Sequence, residues 1–304
     1  MRMLVTGVTG QVGGALAARL PPAATVLAAH RSVLDLAKPE TIAGILDRLS
    51  PDIILNPAAY TAVDKAEDEP DLAARINTEA PGAMARWAAA HDVPLIHFST
   101  DYVFDGSGER AWREDDAPHP LSVYGATKLA GENEIRGARG TFLIVRTSWV
   151  YAAEGKNFLG TIARFARDRS ELRIVADQIG APTSAALIGD VVAGLLLQGT
   201  EGLRELCARA GGLVHLAASG ETSWHGFAAA IVTGLKARGV ALAAERIVPI
   251  ATEDYPTKAR RPRNSRLDMT RLRSIFGISP PPWQTALSPE LDRLAQELNA
   301  AHRG

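Results

Sequence analysis

Short apolar runs and longer amphipathic stretches alternate along the first half of the chain. Residues 3–5, 25–29, 52–56, 94–99 and 142–146 are mainly apolar runs of strand length. Between them, 14–20, 39–49, 72–90 and 122–135 read as helices, the third rich in alanine. Strands alternating with helices of this length predict an α/β fold with a parallel, doubly wound sheet, since each parallel connection needs a crossover and the crossover helix covers the sheet. The second half is less regular. Helices are expected over 157–167, 187–197 and 224–238, and strands over 213–216 and 247–250. A polar loop over 177–183 and a basic loop over 260–265 complete the pattern.

In such a sheet, ligands gather at the carboxyl ends of the strands. Four motifs fall there: Gly7 to Gly13, His30-Arg31, Pro57-Ala58-Ala59 and Ser99-Thr100-Asp101. The first is Thr6-Gly7-Val8-Thr9-Gly10-Gln11-Val12-Gly13, between a strand and a helix that stops at Pro21-Pro22. Gly7 permits the tight turn, Gly10 lets the backbone approach a pyrophosphate, and Gly13 allows close helix–strand packing, with Gln11 and Val12 on the same turn. The helix start presents free N–H groups to phosphate. The glycines are spaced G-x-x-G-x-x-G rather than G-x-G-x-x-G. The expected layout is a Rossmann-type dinucleotide domain over 1–150, completed by parts of about 185–220, with a smaller substrate lobe from 151–184 and 221–304.

Tyr124-Gly125-Ala126-Thr127-Lys128 lies on the 122–135 helix. A spacing of four puts the phenol and the ammonium on one face. A positive charge beside a phenol lowers its pKa, which suits a proton donor or acceptor near neutral pH. The pair alone is common on amphipathic helices; the phosphate turn and the rim hydroxyls give it weight. Thr100 and its neighbour Ser99 are the rim hydroxyls nearest this helix in the pattern, and either can cap a turn instead.

Composition narrows the class. The 304 residues carry 33 Lys plus Arg against 34 Asp plus Glu, so no basic field recruits nucleic acid or an anionic membrane. A single cysteine, Cys207, excludes an internal disulfide framework and a multi-cysteine metal site. No apolar run reaches the about 18 residues of a membrane span, and the phosphate turn begins too early to leave room for a signal peptide. The expected compartment is the cytoplasm.

These motifs resemble those of the extended short-chain dehydrogenase/reductases, and within them the dTDP-4-dehydrorhamnose reductases. The likeness also includes Asn56-Pro57-Ala58-Ala59-Tyr60-Thr61-Ala62-Val63-Asp64-Lys65-Ala66-Glu67 and Phe98-Ser99-Thr100-Asp101-Tyr102-Val103-Phe104-Asp105-Gly106. Arg146-Thr147-Ser148-Trp149-Val150-Tyr151, Asp177-Gln178-Ile179-Gly180-Ala181-Pro182-Thr183 and Arg261-Pro262-Arg263-Asn264-Ser265 extend it over nearly the whole chain. The resemblance implies reduction of the C4 ketone of a dTDP-linked 4-keto-6-deoxyhexose. Tyr124 would protonate the developing oxyanion, Lys128 would hold the nicotinamide ribose and lower the tyrosine pKa, and Thr100 would bind the substrate oxygen. Arg31, after the second strand, suits a ribose 2′-phosphate and so favours NADPH, with NADH possible. Asp35-Leu36 would contact adenine, and Ala58, Ala59 and Tyr60 would line the pocket under the cofactor. Asp101 and Tyr102 would contact the sugar, and Trp149 would offer it a planar face. Asn157 and Gln178 would reach the nucleotide. Arg261, Arg263 and Asn264 are candidates for the diphosphate. Some members carry a helix-start glutamate that bridges a dimer through a metal; Gly14-Ala15 offers no such ligand, so no essential metal is expected and the protein is a monomer or a homodimer. The alternatives are another NDP-4-ketohexose reductase, or a non-catalytic NADP-binding regulatory subunit of the methionine adenosyltransferase type.

Overall fold

Six parallel strands of the described residues form one sheet: β1 (Arg2–Thr6), β2 (Thr25–Ala29), β3 (Ile53–Asn56), β4 (Leu95–Thr100), β5 (Phe142–Thr147) and β6 (Leu213–His215). The computed structural model of the chain describes residues 1–301, so the last three residues of the expected substrate lobe lie outside it. The strand order is β6-β5-β4-β3-β1-β2, so the chain steps to one side of β1 to make β2 and to the other to make β3. The crevice at that reversal, above the carboxyl ends of β1 and β3, is where a doubly wound sheet takes its ligand.

Strand alternation divides the apolar residues between two faces. Met3, Val5, Ile96 and Phe98 pack on one side with the helix Ala185–Leu196. Leu4, Ile54 and Leu95 pack on the other with Ala80–Ala90. A further buried cluster stands apart from the sheet, built from Tyr151, Leu159, Phe227, Ile231, Trp283 and Leu291. It joins Phe158–Asp168, Trp224–Ala237 and the C-terminal helix Trp283–Ala301.

Three expectations change. The first helix is Gln11–Ala17, opening at the phosphate turn itself. The alanine-rich helix begins at Pro70 and contains a π turn over Arg75–Glu79 before resuming as Ala80–Ala90. Glu171–Val175, for which no element was expected, is a strand that pairs in parallel with Arg246–Ile250. The Tyr-Lys helix runs over Val123–Gly137, with the Ser122 side chain accepting from the Gly125 N–H. Gly125 is required there: a Cβ would lie 2.2 Å from the Tyr102 carbonyl oxygen. That contact presses the helix start against the turn that follows β4. No single helix among the described residues is long and apolar enough to cross a membrane.

Candidate active site

The phosphate turn is shaped for close backbone approach. Gly7 has φ +57°, in the left-handed region, and its carbonyl accepts from the Gly10 N–H at 2.8 Å. A Cβ on Gly13 would lie 2.1 Å from the Gly7 oxygen, so only glycine fits against the turn. Ala58, from the β3 end, is the next neighbour of Gly7, and its small side chain keeps the floor low. The turn and Ala58 line a cavity of about 1130 Å³, together with Thr100, Asp101, Tyr124, Lys128 and Trp149. The open glycine cradle and this volume fit a dinucleotide with a second ligand beside it.

Thr100 ends β4 opposite Thr147 of β5. Its hydroxyl donates to Asp101 Oδ1 at 3.1 Å and accepts from the Tyr102 N–H at 3.2 Å. The same hydroxyl lies beside the Tyr124 phenol, where it acts to lower the phenol's pKa. Ser99 points the other way and donates to Glu132 at 2.6 Å. Strand alternation therefore assigns the cavity hydroxyl to Thr100. Burial pushes the Asp101 carboxyl up to about 6, against hydrogen bonds from Ser265 and Thr100 that pull it down. Its Oδ2 has no hydrogen-bond partner in the protein.

Tyr124 departs from the expectation of a lowered pKa. Burial raises its phenol well above the ordinary value, and only the bond with Thr100 works the other way. The reason is geometric. Lys128 Nζ is turned into the sheet, bonded to the Phe98 carbonyl at 2.6 Å and lying 3.0 Å from His97 Nε2. Burial lowers Lys128 to about 8, partly offset by Glu132 one turn along the helix. Glu132 anchors that helix to β4 and β5, taking bonds from Ser99, from Arg146 Nε at 2.8 Å and from Arg146 Nη2 at 2.7 Å.

The other expected residues divide into two groups. Gly7, Gly10, Gln11, Val12, Gly13, Ala58, Ala59, Asp101, Tyr102, Trp149 and Asn157 all line the cavity. Tyr102 stands edge-on to Tyr124, with ring centroids 5.5 Å apart, and accepts from Arg261 Nη1 at 3.2 Å. Arg31 and Asp35, expected at the 2′-phosphate and the adenine, form an ion pair with each other at 3.4 Å, with the Arg31 side chain 78 % exposed. Leu36 is buried in the core beside Leu4 and Leu34 rather than turned to a ligand. Tyr60 sends its hydroxyl to Glu69 at 2.6 Å, away from the cavity. The Gln178 amide is taken up by Thr252 and Trp224, and that of Asn264 by the backbone of the 107–110 loop. Arg263 pairs with Glu253 and Asp177. Trp149, at φ +49°, is stacked on Trp224 with centroids 3.6 Å apart, so one face of its ring is already covered. Asn157 caps its helix and donates to Gln11 Oε1 at 2.9 Å, tying the phosphate turn to the second cluster.

Several residues escaped the sequence reading. Asn56 and His97, both fully buried, lie under Lys128. Asn77 in the π turn accepts from the Tyr60 N–H and donates to the Tyr60 carbonyl. Glu290 reaches the cavity from the last helix and accepts from the Ala153 N–H at 2.7 Å. The available signal was polarity out of place, such as a histidine inside the apolar run Leu95-Ile96-His97-Phe98. No group of three or more His, Cys, Asp or Glu among the described residues is placed to hold a metal.

Comparison with known proteins agrees with this geometry. The family described as the RmlD substrate binding domain matches residues 1–296. The chain is 46 % identical over 291 residues to the dTDP-4-dehydrorhamnose reductase of Burkholderia thailandensis, covering 94 % of this chain and 97 % of that one. It is 42 % identical over 300 residues to the enzyme of the same name from Escherichia coli, covering 97 % and 98 %. Among solved structures, the dTDP-4-dehydrorhamnose reductase of Bacillus anthracis in complex with NADP superposes with TM-score 0.86 at 31 % identity, covering 96 % of this chain and 99 % of that one. The Clostridium acetobutylicum protein of that name gives 0.88 at 32 % identity, covering 97 % and 99 %.

Proposed function

The chain belongs to the RmlD substrate binding domain family, and from that premise we propose how its residues carry the family's reaction. The protein is an NADPH-dependent oxidoreductase that reduces the C4 ketone of dTDP-4-dehydro-6-deoxy-L-mannose to give dTDP-L-rhamnose. What carries this reading is a likeness over nearly the whole length, joined to a Thr100, Tyr124 and Lys128 set intact in the cavity of the phosphate turn.

Gly7, Gly10, Gln11, Val12 and Gly13 hold the pyrophosphate, and Ala58 and Ala59 floor the site. Arg31 takes the 2′-phosphate by exchanging its partner Asp35 for it, and the Asp35-Leu36 backbone borders the adenine. When bound, NADPH supplies the hydride that adds to C4 of the sugar. Tyr124 gives its proton to the oxygen at that carbon, so charge is neutralised where it develops. Burial suits the phenol to this role, since it stays protonated throughout the working range. On substrate binding Thr100 turns its one hydroxyl proton from Asp101 to the same oxygen. Lys128 serves the nicotinamide ribose. Asp101 accepts a sugar hydroxyl through its free Oδ2. Tyr102 and Arg261 face the sugar diphosphate, and the edge of Trp149 with Asn157 bounds the nucleotide. Gln178 and Asn264 act by holding the loops that carry these groups. The buried cluster around Phe227 is the core of a substrate lobe formed by 151–184 and 221–301. The partner is the nucleotide sugar, as for the reductases this chain resembles. The compartment in this reading is the cytoplasm, in keeping with a lone, buried, unpaired cysteine.

Incubation with NADPH and dTDP-4-dehydro-6-deoxy-L-mannose, followed by identification of the sugar, tests the reading. dTDP-L-rhamnose is expected. A C4 epimer of that product would mean a different ketohexose reductase, and NADPH binding without turnover would mean a regulatory protein.

A further inference from the structure

Beneath the cavity, Lys128 ends a chain of uncharged groups that crosses three strands. The Ala58 N–H donates to Thr6 Oγ1 at 3.2 Å, and the Thr6 hydroxyl gives its one proton to Asn56 Oδ1 at 2.7 Å. Asn56 therefore presents its NH₂ to His97 Nδ1 at 3.0 Å. A neutral imidazole that accepts at Nδ1 carries its proton on Nε2. That Nε2 lies 3.0 Å from Lys128 Nζ, which itself donates to the Phe98 carbonyl. Thr6, Asn56, His97 and Lys128 are each at most 1 % exposed, so water cannot substitute for a missing link.

This direction of the chain has a chemical consequence. An ammonium offers three donors and no acceptor, so it cannot receive the Nε2–H. With the bonds running from Thr6 to His97, Lys128 is an uncharged amine with its lone pair toward the imidazole. For Lys128 to be an ammonium that donates to His97, the three links from Thr6 to Lys128 must reverse, while the Ala58 N–H still donates to Thr6. The imidazole proton then sits on Nδ1 and Nε2 accepts from lysine. The Asn56 amide turns so that its oxygen faces His97 and its NH₂ faces Thr6. The two states differ by one proton, taken from water.

We propose that His97 is a positioning residue for Lys128, and that its two neutral tautomers are coupled to the two charge states of that lysine through Asn56 and Thr6. The functional consequence rests on the reductase reading, in which the ammonium serves the ribose. Other ionisable groups around the lysine do not enter the chain. Glu132 on the same helix is bonded to Arg146 from β5 and Arg136, Tyr124 lies one turn back, and Asp101 follows β4. Burial, then the neighbouring lysine, holds His97 well below the ordinary histidine value, so the imidazolium is not a competing form.

The test uses the whole enzyme without cofactor or substrate. Histidine ring-nitrogen and lysine Nζ chemical shifts are followed by NMR from about pH 6.5 to 9.5. His97 should stay neutral and pass from the Nδ1–H to the Nε2–H tautomer as pH rises. Its midpoint should coincide with loss of the Lys128 proton, near about 8. A single tautomer across the whole range, or an imidazolium, overturns the proposal. Asn56→Asp gives a second reading, because a carboxylate only accepts and so fixes the Nδ1–H form. The tautomer change should vanish, and the alkaline limb of kcat/KM should move up by about one pH unit or more. A folded variant that keeps the parent's tautomer change and limb also overturns the proposal. If the variant does not fold, the parent's spectra decide alone. Failure to reduce the nucleotide sugar would overturn the reductase reading and leave the NMR titration as it stands.

Discussion

Glu132→Gln removes one negative charge from the anchor of the catalytic helix while nearly conserving shape. The carboxylate is fully buried and the Arg146 side chain is 2 % exposed, so neither charge is shared with water. Gln keeps one acceptor oxygen but turns an NH₂ group toward donors from Ser99 and Arg146. The guanidinium is left with the face of Phe104, 5.1 Å from its carbon, as its main remaining support. His215 gives no counter-charge, since burial first and Arg146 second hold it down at about 3. Breaking a buried pair from one side costs about 3–5 kcal/mol, much of it the unpaired charge. At roughly 2–4 °C per kcal/mol for a large domain, the melting temperature should fall by roughly 6–20 °C. Thermal and urea unfolding of the parent, Glu132→Gln, Arg146→Met and the double variant measure it. The double variant should recover a large share of the loss, because it buries no orphan charge. A single-variant loss below about 1 kcal/mol, the range of exposed pairs, would refute the reasoning, as would strictly additive losses.

Other outcomes follow from the same geometry. Tyr124→Phe leaves Thr100 its bonds to Asp101 and Tyr102, so the fold and NADPH affinity should hold while kcat falls by about 10²–10⁴; retention of about half the activity removes Tyr124 from the mechanism. The reduction rate should fall as pH rises through about 8, where the buried Lys128 amine loses its proton, and not at a tyrosine value, since the phenol is held higher; a pH–rate profile flat to about 10 contradicts this. Arg31→Ala should lower the NADPH over NADH preference by only about tenfold or less, because that arginine is exposed and already shares charge with Asp35; equal losses for both cofactors would make it a loop support. Gly13→Ala drives a Cβ to 2.1 Å from the Gly7 oxygen and should abolish NADPH binding in a fluorescence titration, whereas parent-like affinity would show that the turn can shift.

The central sheet was readable because all its strands but the exposed edge strand β2 are buried on both faces and so appear as continuous apolar runs. Glu171–Val175 was not, because it is half exposed and its partner Arg246–Ile250 lies far along the chain. The gathering of Thr100, Tyr124 and the glycine turn followed from strand ends meeting one rim. What spacing could not give was direction. Lys128 shares a helix face with Tyr124, yet its amine is drawn to the Phe98 carbonyl and His97. Side-chain partners on separate elements decide this, and the same holds for Gln178 and Asn264, whose amides close loops. Arg31 and Asp35 were each expected on a different part of the cofactor, although their spacing of four already allowed them to pair.

The π turn at Arg75–Glu79 fixes the phase of everything before it. A helix residue turns the chain by about 100°, so one extra residue in a turn rotates all preceding side chains by that amount relative to those that follow. At the wide turn, the Asn77 carbonyl lies so near the next helix that a Cβ on Gly131 would sit 2.1 Å away, while its amide brackets the backbone of Tyr60. A one-residue deletion between 75 and 79 would return the segment to ordinary α geometry without removing a single catalytic group. It would also swing Asn77 off Tyr60 and release the strand end that floors the cofactor site. Length in this helix is thus under tighter constraint than composition: substitutions on its outer face are tolerable, but insertions and deletions throw the two halves of the site out of step.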